Sequence, residues 1–140
     1  MQERCRIQIA ALSGQMDDLR AGKDIRLAPY GRSMLPSIRE GRDTLVIRQE
    51  PCVGVGDIVL LCGQEGCFVH RVVDINQNLL TLMDDADLYC IMSCTAQEVI
   101  GTVVYIIRGR FKFHPGRGIL RRAVLPIRRL LNTIIDRNDG

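Results

Sequence analysis

The chain has 140 residues, a net charge of +3 and 46% hydrophobic residues, which predicts one globular domain with a real core. Only 4% of the residues are aromatic and none is Trp, which argues against nucleic-acid modules that stack bases on aromatic rings. No apolar stretch approaches the ~20 residues that span a bilayer, and the polar start lacks a secretory signal. We therefore expect a cytoplasmic protein, free or peripheral on the cytoplasmic membrane. Its six cysteines are expected to be reduced thiols.

The N-terminal segment, residues 1–24, is predicted to contain one helix over residues 3–21. Apolar side chains share one side of that helix at Ile7, Ala10 and Ala11. One short helix is not the three-helix reader of a DNA-binding repressor, so no nucleic-acid partner is expected.

A β core is predicted over residues 25–110, which makes the fold class mainly β (α+β). The segment DIVLLC is apolar almost throughout, as a strand buried on both faces would be, and a four-residue loop, GQEG, joins it to the next strand. Short antiparallel strands are predicted for IRLAPYG (25–31), TLVIR (44–48), DIVLLC (57–62), CFVHRVVDI (67–75), LLTLM (79–83) and VIGTVVYIIR (99–108).

The C-terminal tail, residues 111–140, differs from the core in charge and periodicity. Apolar residues from Ile119 to Ile135 recur at helical spacing, and arginines fall between them. This pattern is typical of a basic amphipathic helix, kinked or split at Pro126. The helix would either pack its apolar face on the β core or lie on an anionic membrane surface.

Ser33 lies in the segment GRSMLP, between Gly31 and Pro36. Gly31 permits an unusual backbone angle, and Pro36 restrains the exit of the loop. A serine on such a turn is either a nucleophile with backbone N–H groups nearby or a turn residue that caps its own backbone.

His70 lies inside the apolar segment VHRVV and is one of two histidines. An imidazole among valines needs a hydrogen-bond partner, so it is either a satisfied core histidine or a general base. The other histidine, His114, lies in a basic segment with Gly and Pro that is typical of a loop.

The segment MDDADLY places Asp84, Asp85 and Asp87 directly after a predicted strand. One of these carboxylates could orient the histidine, the three could hold a hard cation, or they could form a solvated acidic turn. The cysteines at 62, 67, 90 and 94 lack the C-x₂-C spacing of a zinc ribbon, so no metal site is expected.

Five segments occur in a characteristic order: GRSMLPSI, GVGDIVLL, VHRVV, LTLMDDAD and VIGTVVYIIR. Together they resemble the peptidase core shared by signal peptidase I and the LexA-type self-cleaving proteins. The bacterial signal peptidase and LexA branches use a Ser–Lys dyad, whereas signal peptidases of the endoplasmic-reticulum type carry His in an HRV-like box. The run His70–Arg71–Val72 matches the histidine variant.

The resemblance implies Ser33 as nucleophile, His70 as general base and Asp85, in the position of the family's GDxN box, as the residue that orients the histidine. It implies that the backbone N–H of Ser33 donates to the oxyanion. Position 31 is Gly, so the hydroxyl donor of some signal peptidases is absent and Gly31 supports the turn. Gly56 and Asp57 match a structural GD pair. No cofactor is implied.

The expected function is a serine endopeptidase whose peptide or protein substrate binds as an extended strand. One alternative is a peptidase-like binding or maturation module without turnover, favoured by the acids that replace Gly and Asn in the GDxN box, at Asp84 and Asp87. Another is a self-cleaving regulator of the LexA type.

Overall fold

Antiparallel strands make up most of the protein in the computed structural model, which describes residues 4–87 and 91–115. The fold is mainly β with a few short helices. The strands are β1 (Arg6–Ile7), β2 (Ile25–Leu27), β3 (Pro29–Tyr30), β4 (Asp43–Arg48), β5 (Ile58–Gly63), β6 (Gly66–Asn76), β7 (Leu79–Met83), β8 (Ile91–Thr95), β9 (Gly101–Arg108) and β10 (Phe111–Phe113). The helices are α1 (Ile9–Ser13), α2 (Met16–Arg20) and a 3₁₀ turn (Ala96–Glu98).

The longest strand, β6, organises the sheet. The strand order is β2-β4-β9-β5-β6-β1-β3, with β10 paired to β9, β7 paired to β6, and β8 paired to β7. β6 has 11 residues and pairs with β5, β1 and β7. Because β6 is long, it contacts both the N-terminal segment and the acidic turn, residues 84–87, that follows β7.

Side chains of β6 enter two apolar clusters on opposite faces of the sheet, because successive residues of a strand point to opposite sides. Val69 packs in a cluster that contains Ile7 and the buried helix residues Leu12 and Leu19. Val72 packs in a second cluster under β7 and β8. Burial on both faces explains the nearly continuous apolar run of this strand.

The single helix predicted over residues 3–21 is wrong. β1 forms instead, and only the short helices α1 and α2 follow it. Arg6 and Ile7 lie opposite Tyr30 and Pro29 of β3 on one side, and opposite Phe68 and a cysteine of β6 on the other. Strand pairing on both sides, with Ile7 buried, outweighs the weak helical periodicity of this segment.

The β5–β6 hairpin is tighter than predicted, since β5 ends at Gly63 and β6 begins at Gly66. Cys62 and Cys67 lie directly opposite each other across the hairpin and form a disulfide, with a Cα–Cα distance of 4.0 Å. The expectation of reduced thiols is therefore wrong for this pair, and cross-strand register is the reason.

The sheet extends past the predicted end of the core at residue 110, because β10 pairs with β9. The predicted C-terminal amphipathic helix falls in residues 116–140, outside the described residues. Within residues 4–87 and 91–115, no helix is long and apolar enough to cross a membrane.

Candidate functional site

Ser33 follows β3 and is held between two other segments of the chain. Its Oγ accepts a hydrogen bond from the backbone N–H of Cys5 at 2.7 Å. Its carbonyl oxygen accepts one from the N–H of Ala86 at 2.8 Å. The residue is only 2% exposed. Ser33 is therefore fixed by the N-terminal segment and by the acidic turn after β7, rather than by contacts within its own turn.

His70 lies on β6 and is buried, and its Nδ1 is 2.6 Å from Oδ1 of Asp84. A carboxylate can only accept, so Nδ1 carries the proton and donates it to Asp84. The lone pair is then on Nε2, which has no hydrogen-bond partner among the described residues. This is the arrangement of an imidazole whose second nitrogen can accept a proton.

The carboxylate that contacts His70 is Asp84, although the family resemblance implied Asp85. β6 and β7 begin their pairing with Asn76 opposite Leu79. If that register continued without a break, Asp85 would lie opposite His70. A β-bulge at Val73 adds one residue to β6, so that Arg71 lies opposite Met83 and the next position, Asp84, faces His70. The bulge is thus the reason that the two acids differ in partner.

Asp85 pairs with the neighbouring residue of the same strand, Arg71. Its oxygens accept hydrogen bonds from Arg71 Nε at 3.2 Å and Nη2 at 2.7 Å. Arg71 is 1% exposed and also donates to the Gly56 carbonyl at 2.9 Å and to Ser37 Oγ at 3.2 Å. Asp85 therefore neutralises a buried guanidinium and fixes the acidic turn, which positions Asp84.

Gly56 and Asp57 form the turn that leads into β5. The N–H of Gly56 donates to the Val72 carbonyl at 2.8 Å, and the Val72 N–H donates to the Asp57 carbonyl at 2.8 Å. The Asp57 side chain accepts a hydrogen bond from the Gly54 N–H at 2.7 Å. These contacts hold the turn against β6, directly beside His70 and Arg71.

Gly31 has a φ of 98°, a conformation that favours glycine. A Cβ at this position would lie 2.1 Å from the backbone oxygen of Arg4. The Gly31 N–H donates to Glu40 Oε2 at 3.1 Å. Gly31 thus gives the N-terminal segment room to pass close to the turn, and the oxyanion role of the Ser33 N–H stays a prediction.

Cys5 lies at the candidate site although no motif in the sequence pointed to it. It is fully buried beside Ser33, and burial raises the pKa of its thiol to about 12, with the negative charges of Asp84, Glu40 and Asp85 adding to the effect. Cys5 is therefore a protonated, inert thiol at neutral pH. The signal that could have found it is the alternation of charged and apolar residues over residues 4–7, which is typical of a strand.

A cavity of about 450 Å³ lies on the His70 side of the sheet. Its wall is mainly apolar and comes from strands β5 to β8, with Arg4 and Glu98 among the polar groups. The lining includes Leu61, Phe68, His70, Leu82 and Met92. An apolar side chain of a ligand could therefore bind next to the imidazole.

A cation in the acidic turn would compete with existing partners, because Asp84 contacts His70 and Asp85 contacts Arg71. Among the described residues, no group of three or more His, Cys, Asp or Glu side chains is arranged to hold a metal ion. The interpretation of the turn as an anchor for two β6 side chains fits these contacts best.

Comparison with protein-family models, with curated proteins and with solved structures finds no match to this chain. The candidate site must therefore be interpreted from its own geometry.

Proposed function

We propose that the protein is a serine endopeptidase of the signal peptidase/LexA-like type. Ser33 is the nucleophile, His70 the general base, and Asp84 takes the orienting role first given to Asp85. The observation that carries the proposal is the buried His70 with Nδ1 bound to Asp84 at 2.6 Å and with Nε2 unpartnered among the described residues. Most buried side-chain nitrogens have a hydrogen-bond partner, so the unpartnered Nε2 beside the cavity supports a role as proton acceptor.

In this mechanism His70 Nε2 takes the hydroxyl proton of Ser33 as Oγ attacks the carbonyl carbon of a peptide bond. The same nitrogen then gives the proton to the leaving amine, and water hydrolyses the acyl-enzyme. Asp84 keeps the proton of His70 on Nδ1 and stabilises the imidazolium as it forms. Within the described part of the chain the Ser33 hydroxyl accepts from Cys5 N–H and has no acceptor of its own, so its proton is available for donation.

A fluorophosphonate probe tests the proposal, because it reacts only with an activated serine. We expect one label per chain, at Ser33, and loss of the label in Ser33→Ala and His70→Ala. Two matched controls should keep the label: Ser93→Ala, an exposed serine beside the cavity, and His114→Ala, an exposed histidine. Thermal unfolding confirms that each variant is folded. Absence of labelling in the folded wild-type chain would refute the enzyme.

A second candidate function is a peptide-binding module without turnover. The observation in its favour is that no hydrogen bond joins Ser33 Oγ to His70 among the described residues, since Oγ accepts from Cys5 and Nε2 has no partner. A module of this class would bind an extended peptide and leave the probe unreacted. Peptide binding without any labelling would therefore select this function over the peptidase.

The subcellular location and the membrane contact remain separate proposals. The expected cytoplasmic location depends on the lack of an apolar span and of a secretory signal in the sequence. The contact with an anionic surface depends on residues 111–140, most of which lie outside the described residues. Co-sedimentation of the full chain with vesicles rich in an anionic lipid, compared with neutral vesicles, tests the contact. Salt should weaken binding if charge drives it.

A further inference from the structure

The residue that contacts Ser33, Cys5, leads directly into a strand, β1. β1 lies between β3, which leads to Ser33, and β6, which carries His70. An extended peptide that binds by strand addition uses main-chain hydrogen bonds to a neighbouring strand. β1 pairs with β3 on one side and with β6 on the other. It therefore fills the place of one strand between the segment that leads to Ser33 and the strand that carries His70.

Cys5 makes a regular strand hydrogen bond on its β6 side and a hydrogen bond to a side chain, that of Ser33, through its N–H. Val69 N–H donates to the Cys5 carbonyl at 3.1 Å, but Cys5 N–H donates to Ser33 Oγ at 2.7 Å. Since the Cys5 nitrogen is bonded to the carbonyl carbon of Arg4, Ser33 Oγ lies next to the Arg4–Cys5 peptide bond. The Arg4 oxygen passes against Gly31, where any Cβ would collide with it. A peptide bond of the chain itself thus lies against the proposed nucleophile.

The side chains of the segment alternate between two environments. Cys5 and Ile7 are buried, with 0% and 1% exposure. Arg4 and Arg6 lie over the ring of Phe68, with guanidinium carbons 5.5 and 5.2 Å from its centroid. The alternation defines what this strand position accepts: a small and an aliphatic side chain on one face, and basic side chains on the other.

We propose that residues 4–7 are a reversible internal occupant of the peptide-binding position at Ser33. A substrate enters when this segment leaves, and the substrate is an extended peptide with a basic–small–basic–aliphatic pattern. The inference rests on the proposed function for its catalytic meaning. The displacement of one strand by another can be measured whether or not Ser33 reacts.

Two chemical readouts separate strand release from catalysis. Alkylation of the buried Cys5 thiol by iodoacetamide, located by peptide mass, reports release of the segment. Fluorophosphonate labelling reports access to an active Ser33. Cys94, a buried free thiol in the other apolar cluster, is the internal reference for global unfolding. Cys52, which is free and exposed, is replaced by Ser to keep the measurement simple.

The perturbing variant is Ile7→Ala. It weakens the packing of residues 4–7 against the core and leaves Ser33, His70 and Asp84 unchanged. Truncation of a buried isoleucine should raise Cys5 alkylation and Ser33 labelling together, by about tenfold or more. Ile9→Ala is the matched control, because Ile9 is 58% exposed and lies just outside β1. It should change neither rate. If Ile7→Ala does not fold, Arg6→Ala, which removes one cation–π contact, should raise both rates about two- to fivefold.

A synthetic peptide, QERSRIQI, tests the strand position in trans. It copies residues 2–9 with Ser in place of Cys5, and it should raise Cys5 alkylation of the wild-type chain by displacing β1, with Cys94 unchanged. A scrambled peptide of the same composition should have no effect.

Each outcome decides between the two proposals. Equal Ser33 labelling in wild type and Ile7→Ala, despite faster Cys5 alkylation, overturns the inference and leaves the peptidase intact. Peptide-driven release of Cys5 without labelling in any variant refutes the peptidase and supports the strand position. Loss of residues 1–4 from the intact chain during incubation overturns the inference, because the segment would then be a substrate instead of an occupant.

Discussion

The contrast between Asp84→Asn and Asp85→Asn gives the sharpest test of the site, because the two acids are adjacent and equally buried. The side chains of His70 and Asp84 are both 2% exposed, and their atoms are 2.6 Å apart. A charge-assisted hydrogen bond of this kind is worth about 1.5–3 kcal/mol. An amide in place of the carboxylate also allows the wrong imidazole tautomer, so Asp84→Asn should slow Ser33 labelling by ~10²–10⁴-fold.

Asp85→Asn should lower the stability of the protein and leave the rate of Ser33 labelling nearly unchanged. Its carboxylate does not contact His70, but it neutralises Arg71, and the two side chains are 3% and 2% exposed. Loss of one partner of a buried ion pair costs about 3–5 kcal/mol, and the amide oxygen that remains favours the lower end of that range. The variant should therefore melt at a clearly lower temperature and label at close to the wild-type rate per folded molecule.

The assay combines two measurements on the same samples: second-order labelling rates at a temperature where both variants are folded, and thermal unfolding by circular dichroism. If Asp84→Asn labels as fast as wild type, Asp84 does not orient His70. If Asp85→Asn slows labelling as strongly as Asp84→Asn while its stability is unchanged, Asp85 is the orienting residue.

Two further predictions concern stability. Burial alone would raise the pKa of Asp43, but hydrogen bonds from Arg108, Arg42 and the Arg39 N–H outweigh it and lower the pKa from 3.8 to about 2. This contribution of about 2 kcal/mol is present above pH ~4 and is lost as the pH falls towards 2, so urea unfolding of Asp43→Asn should show a shallower acid slope than wild type. The disulfide closes a loop with a sequence separation of 5, so Cys67→Ser should lower the free energy of unfolding by about 2 kcal/mol. If wild type and Cys67→Ser have equal urea midpoints under non-reducing conditions, the disulfide does not stabilise the fold.

Much of the sheet could be predicted from local pattern. The apolar runs of β5 and β6, the alternation of β4 and the apolar end of β9 are properties of short segments, and each one formed a strand near its predicted bounds. Ser33 and His70 could be singled out from the sequence, because a serine on a Gly/Pro turn and a histidine among valines are locally unusual, and their catalytic roles stay predictions.

The N-terminal segment shows where local pattern is insufficient. Its apolar spacing is compatible with a helix, and nothing in the segment itself reveals that β3 and β6 leave a gap of one strand between them. A two-residue strand gains stability only from its neighbours, which are distant in sequence. The contact between Cys5 and Ser33 joins residues 28 positions apart and could not be predicted for the same reason.

The sequence by itself determined the strands β4, β5, β6, β7 and β9, the buried histidine and the run of acids that follows β7, because these depend on the alternation and composition of short segments. Only the tertiary structure decided which acid contacts His70, since a one-residue bulge at Val73 exchanges the partners of Asp84 and Asp85. It also decided that Cys5, directly before β1, contacts Ser33. Register and strand insertion depend on two segments that are distant in sequence. The stabilising free energy of their pairing is gained only when both segments are folded against each other.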